Sequence, residues 1–192
     1  MCIVALNKPI RTFIAVPIPG AVKSRIADLL HALGSSRADV KWVRVEGMHL
    51  TLKFLGDVES ERIPAVCGAV RRAAGAFPRT AVHLAGSGAF PDIRRPRVLW
   101  IGVREGADRL RTLAESMDTA LGDEGFERDT RPFSAHLTLG RVRSPRGVAE
   151  VLSRMQAAEW DGGVFEADTV VVMQSDLQKT GAVYTALATI SL

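Results

Sequence analysis

The chain is poor in cysteine, lysine, tyrosine and histidine, and each shortage narrows what it is built to do. Two cysteines, Cys2 and Cys67, in 192 residues give no disulfide framework and no ligand spacing for a structural metal. Cys67 falls on the apolar side of a predicted helix, the ordinary place of a buried thiol. The reducing cytoplasm is therefore the expected compartment. No run approaches the roughly 18 consecutive apolar residues that suggest a membrane span, so no membrane association is expected. The opening residues 1–6 are apolar but short, and Asn7-Lys8-Pro9 interrupts them, which makes a poor secretory signal. Low-complexity linkers are missing as well, leaving one domain over residues 1–192 as the expectation. Nothing marks an obligate protein partner, and a monomer is expected.

What the chain does have is arginine: 20 against five lysines, with a net charge of +4. The planar guanidinium fork suits phosphate oxygens, so an anionic partner is permitted by the composition.

Residues 11–17 read as a first strand, stopped by Pro17 and Pro19. Val22, Ile26, Leu29, Leu30 and Leu33 then recur at helical spacing, with Gly34 just past the end. Residues 41–55 form a β-rich stretch. Ser60 stands where it would cap a second helix whose stripe is Ile63, Val66, Cys67, Val70 and Ala74, and Pro64 is tolerated in its first turn. Strands around 80–89 and 97–103 are joined by a loop rich in arginine and proline. A third helix carries Leu110, Leu113, Ala114, Met117 and Leu121 and ends at Gly122. A strand at 135–140 precedes a fourth helix with Val148, Val151, Leu152 and Met155. Strands near 164–174 and 182–190 close the chain around the turn-like Gln178-Lys179-Thr180-Gly181. Strands and helices mix without strict alternation, which predicts an α+β fold with largely antiparallel sheets.

One tetrapeptide occurs twice. His49-Leu50-Thr51-Leu52 and His136-Leu137-Thr138-Leu139 are identical, lie 87 positions apart, and use two of the four histidines. They sit in a coarse duplication of strand, helix, motif strand and helix. On a strand, positions i and i+2 share a face, so each histidine points with its threonine while the leucines face the core. Two such strands could set both His–Thr pairs across one cleft. An imidazole gives or takes a proton around neutrality. One neutral histidine could deprotonate water while the other, protonated, delivers a proton to a leaving oxygen. The threonine hydroxyls are suited to donate to nonbridging phosphate oxygens.

These residues resemble the 2H phosphoesterase superfamily, and within it the RNA 2′,3′-cyclic phosphodiesterase (2′-5′ RNA ligase-like) branch. The likeness runs through Arg11-Thr12-Phe13-Ile14-Ala15, Trp42-Val43, His49 to Gly56, Gly88-Ala89-Phe90-Pro91, Arg97-Val98-Leu99-Trp100, Arg131-Pro132-Phe133, His136 to Arg141, and Ser175-Asp176-Leu177 with Gly181 and Tyr184. It implies a bilobal α+β fold, with two antiparallel sheets, flanking helices and a central cleft in pseudo-twofold arrangement, made of two intertwined lobes. It also implies a reaction without metal or cofactor, opening a 2′,3′-cyclic phosphate on an RNA or oligonucleotide end to leave a 2′-phosphate. By resemblance His49 is the acid and His136 the base, with Thr51, Thr138 and Arg141 binding the phosphate. Strict alternation would turn Arg141 away from His136, unless Gly140 ends or bulges the strand.

Other residues carry less. Phe54 matches Arg141 in the first half; it is expected to pack in the core beside Leu50 and Leu52 rather than stack on a base. Lys53 shares the face of His49 by alternation, as a cleft charge or a solvated one. Arg94, Arg95 and Arg97 form a basic loop that either steers RNA or is a solvated turn. His31, at a helix C-terminus, and His83 are expected to be structural. Competing functions are 2′-5′ RNA joining, cleavage of another cyclic nucleotide, a non-enzymatic RNA-binding module, and a metal-dependent hydrolase. The last would need carboxylate, cysteine or further histidine ligands near the motifs.

Overall fold

The computed structural model describes residues 8–34, 36–178 and 181–192. The opening stretch, read above as a poor secretory signal, and the central pair of the expected turn, Lys179-Thr180, lie outside the described residues. The apolar stripes and alternations resolve into β1 (Ile10–Pro17), α1 (Gly20–Gly34), β2 (Val40–Trp42), β3 (His49–Val58), α2 (Ile63–Ala74), β4 (Thr80–Phe90), β5 (Val98–Glu105), α3 (Ala107–Asp123), β6 (His136–Val142), α4 (Val148–Ala157), β7 (Asp161–Ala167), β8 (Thr169–Gln178) and β9 (Gly181–Ser191).

The strands form two antiparallel sheets, ordered β3-β1-β8-β9 and β2-β6-β5-β4-β7. In each, a motif strand lies beside the strand that opens its half of the chain, β3 beside β1 and β6 beside β5. This is the expected α+β arrangement. The helices interweave the halves: α1, which follows β1, packs on β7 of the other sheet, and α3, which follows β5, packs on β3. Each helix buries one stripe, as Leu110, Leu113, Ala114, Met117 and Leu121 do on α3. Buried Ile, Leu, Val and Met side chains join into one core.

One stretch is subdivided and two local expectations are corrected. The stretch 41–55 is two strands in different sheets. Val43 N–H still donates to Leu139 O (2.8 Å), and then a 3₁₀ turn at Val45–Gly47 carries the chain across to β3. The stretch 164–174 likewise divides at Asp168, so β7 and β8 belong to different sheets. Ser60 does not cap α2: it opens a 3₁₀ turn, Ser60–Arg62, and its hydroxyl reaches only the Glu61 carboxylate at 3.5 Å. Pro64 does sit in the first turn of α2.

Candidate active site

Both motif strands carry a β-bulge at the same place. In β3, Thr51 pairs with Ala15 and Lys53 with Ile14, so Leu52 is the extra residue. In β6, Thr138 pairs with Trp100 and Gly140 with Leu99, so Leu139 is extra. A bulge reverses side-chain parity beyond it. Gly140 is accordingly buried and Arg141 exposed, on the side of His136 and Thr138. A Cβ at Gly140 would lie 2.7 Å from Val40 Cγ1, so this inward position needs glycine for β2 to approach. The alternation argument against Arg141 fails for this reason.

The same bulge overturns both expectations for β3. Lys53 turns inward with Leu52 and is 2 % exposed; its ammonium donates to Asp118 and to Glu127 O (2.9 Å), with Asp129 at 3.4 Å. It is a structural cation and does not share the face of His49. Phe54 turns outward, 46 % exposed, with the Arg11 guanidinium 4.5 Å from its ring centroid, and is not core packing. It borders a cavity of about 320 Å³ shared with Gly56 and residues 126–130.

His49 and His136 open strands that pass each other with Cα atoms within 8 Å. Their rings are held alike. His49 Nδ1–H donates to Gly47 O (2.7 Å) and His136 Nδ1–H to Ser134 O (2.8 Å), each two residues back. That bond fixes the tautomer and leaves Nε2 as the exchanging atom of each ring. Phe13 stacks on His49 at 4.6 Å and Tyr184 meets it edge-on at 5.1 Å. Gly47 is required here, because a Cβ would lie 2.9 Å from the Tyr184 ring. Phe90 meets His136 edge-on at 4.8 Å, and Trp100, paired with Thr138, lies against Phe90 at 5.3 Å. Sequence reasoning gave Phe13, Phe90, Trp100 and Tyr184 no role. All four fall in family-like pieces, yet only strand register puts them beside the histidines.

Burial lowers the His49 pKa below 6.5; the Gly47 carbonyl opposes this and the Lys23 charge adds to it. Burial thus favours the neutral ring in the free enzyme. Lys23→Gln should raise the His49 titration midpoint, followed by NMR of the ring carbon protons; an unchanged or lowered midpoint would remove Lys23 from the balance. Thr51 and Thr138 make no side-chain hydrogen bond to any described residue, and Thr51 is exposed. Among the described residues no group of three His, Cys, Asp or Glu side chains is placed to hold a metal.

The remaining candidates lie outside this set. His31 is in the last turn of α1, and His83 Nε2 bonds Asp161 Oδ1 at 2.8 Å between β4 and β7. Arg94 and Arg95 lie in the loop between β4 and β5, where their amides donate to Asp92 Oδ1.

Two half-length motif lobes around a histidine pair define a phosphoesterase, and comparison with known proteins agrees. The LigT-like phosphoesterase family model matches the chain twice, over residues 16–100 and 101–184, and the chain belongs to that family. It is 32 % identical over 179 residues to an RNA 2′,3′-cyclic phosphodiesterase of Methanothermobacter thermautotrophicus, covering 92 % of this chain and 95 % of the relative. It is 35 % identical over 175 residues to a protein of the same name from Archaeoglobus fulgidus, covering 91 % and 96 %. A crystal structure from Thermus thermophilus superposes with TM-score 0.76 at 27 % identity, covering 95 % and 97 % of the two chains. E. coli LigT in its apo form shares the fold, with TM-score 0.75 at 23 % identity over 96 % and 98 %.

Proposed function

We propose that the chain is an RNA 2′,3′-cyclic phosphodiesterase that opens the cyclic phosphate of an RNA end with water and leaves a 2′-phosphate. The observation that carries this reading is the matched pair of His-x-Thr strands, each with Nδ1–H tied to a carbonyl and Nε2 left to exchange a proton. His136 takes a proton from water as its oxygen attacks phosphorus. The bond from phosphorus to the 3′ oxygen breaks, and His49 gives that oxygen a proton. Burial disfavours the charged His49 ring in the free enzyme, so its protonation is helped by the substrate. A phosphate anion within about 4–6 Å favours the charged imidazolium and opposes the effect of burial. Thr51, Thr138 and Arg141 hold the nonbridging oxygens. Cysteine content and the expected self-sufficiency of one chain favour a monomer working in the cytoplasm; among the described residues no helix is long and apolar enough to cross a membrane.

An oligonucleotide ending in a 2′,3′-cyclic phosphate, with 2′- and 3′-phosphate products resolved, tests the reading. A 3′-phosphate product, or none, would end it. Each motif offers one imidazole beside a threonine, a poor metal site, so a strong chelator should leave the rate unchanged. Loss of activity restored by zinc or manganese would contradict this.

Arg141 supplies the fixed charge. Negative charge grows on the phosphate oxygens as water attacks, and two neutral hydroxyls stabilise it less than a guanidinium does. Arg141→Ala should lose at least about tenfold in kcat/KM, roughly 1.4 kcal/mol, with Arg141→Lys recovering part. Wild-type turnover in both would take Arg141 out of the site.

A further inference from the structure

The four-stranded sheet has no counterpart of β2, the short strand that extends the other sheet beyond its motif strand. Its central residue, Lys41, pairs directly with Arg141. Arg141 pairs in turn with Val98, and Val98 with Phe90, so one ladder row runs Phe90, Val98, Arg141, Lys41 across four strands. Directly paired residues share a face. Phe90 touches His136 at one end of the row, which places the Lys41 end on the catalytic side as well. The adjacent row, Ala89, Leu99 and Gly140, is buried.

Like charges directly opposite on neighbouring strands repel. Here neither is neutralised: Lys41 and Arg141 are both exposed, and no described carboxylate pairs with either. Asp39, two residues before Lys41, makes no ion pair with it. Some surface arginines are paired, as Arg72 is with Glu124 and Arg111 with Asp108, and others, among the described residues, are not. What sets Lys41 and Arg141 apart is that the two unpaired cations sit directly opposite each other on neighbouring strands. An uncompensated cation pair on the site's own face calls for an anion with more than one charged group. RNA offers that: the phosphodiester one step 5′ of the cyclic end.

We infer that Lys41 binds the phosphodiester adjacent to the terminal cyclic phosphate, making the site selective for RNA ends over cyclic mononucleotides. This rests on the phosphodiesterase reading and specifies its substrate. Arg141 serves the reacting phosphate, and Lys41, one strand spacing of about 4.8 Å further out, serves its neighbour.

The test compares kcat/KM for 2′,3′-cyclic AMP with that for a trinucleotide ending in a 2′,3′-cyclic phosphate. In Lys41→Ala the ratio favouring the trinucleotide should fall about tenfold, the scale of one charge-assisted hydrogen bond. Lys41→Arg should keep it. The salt dependence of trinucleotide KM should flatten by about 0.7 in log–log slope, one phosphate contact on a single strand. A trinucleotide whose adjacent linkage is an uncharged methylphosphonate should show the same deficit with the wild type and no further loss with Lys41→Ala. An unchanged ratio, or equal losses on both substrates, would overturn the inference. Wild type inactive on both substrates would instead sink the phosphodiesterase reading itself.

Discussion

Removing either histidine, as His49→Ala or His136→Ala, should cost about 10²–10⁴ in kcat/KM on a 2′,3′-cyclic nucleotide, the usual worth of one positioned proton transfer. The two variants then separate by leaving group. In a substrate with sulfur at the bridging 3′ position the departing thiolate needs no proton, so the acid becomes dispensable while the base does not. His49→Ala should therefore recover most of its loss on the sulfur substrate, and His136→Ala should recover little. Rescue of His136→Ala alone would exchange their roles, and full activity in both variants would remove the pair from the chemistry. The wild-type rate should be bell-shaped in pH, because one ring must be charged and the other neutral. One limb belongs to His49 and disappears in His49→Ala. In kcat/KM, which reports the free enzyme, burial shifts that limb to lower pH than an ordinary histidine's. In kcat, which reports the complex, the bound anion raises the His49 pKa, so the limb should move to higher pH.

The motif strands and the helical stripes were legible in the sequence because each depends on a local period, and the two lobes because the tetrapeptide repeats and the chain resembles a bilobal family. The helix carrying Leu110 to Leu121 is found there with its end, expected at Gly122, one residue short of the observed Asp123, since its five core positions recur at three and four. What alternation could not supply was the extra residue in each motif strand. Leu52 and Leu139 look like ordinary inward positions, yet each shifts the register by one. The effect is the same in both strands: Lys53 and Gly140 turn to the core, while Phe54 and Arg141 turn outward. Gly140 was a visible clue, being the one residue small enough for β2 to lie against it. No such clue marks β3, where the inward place is taken by a lysine. The divided stretches 41–55 and 164–174 were illegible for another reason. Apolar residues recur on both sides of each break, and only the partner strands reveal that each changes sheet.

Lys53→Met is accordingly expected to damage the fold and spare the chemistry. The Lys53 side chain is 1 % exposed and its ammonium bridges β3 to Asp118 on α3 and to Glu127 O beyond that helix. Asp118 Oδ1 also accepts the Asp129 amide at 3.0 Å, so one buried cation organises the turn that follows α3. Removing one member of a buried pair costs about 3–5 kcal/mol, because the partner stays behind unpaired. Asp118 is 20 % exposed and partly rehydrated, which favours the lower figure. For a chain of this size about 3 kcal/mol corresponds to a Tm lower by roughly 6–12 °C. Methionine retains the length of the stem, so the loss isolates the charge from the packing. The pH dependence follows from Asp118. Partial burial pushes its carboxyl upward, but the Lys53 hydrogen bond, the Asp129 amide and the nearby positive charges outweigh this and hold it below the ordinary value. A depressed carboxylate contributes stability that is complete above its unfolded pKa, about 3.9, and fades as pH falls through the folded value. The Tm gap between wild type and Asp118→Asn should thus be widest near neutrality and narrow below about pH 4. Assayed well below its Tm, Lys53→Met should turn over the cyclic phosphate like the wild type. A variant with unchanged Tm and lost turnover would return Lys53 to the cleft, where strict alternation had put it.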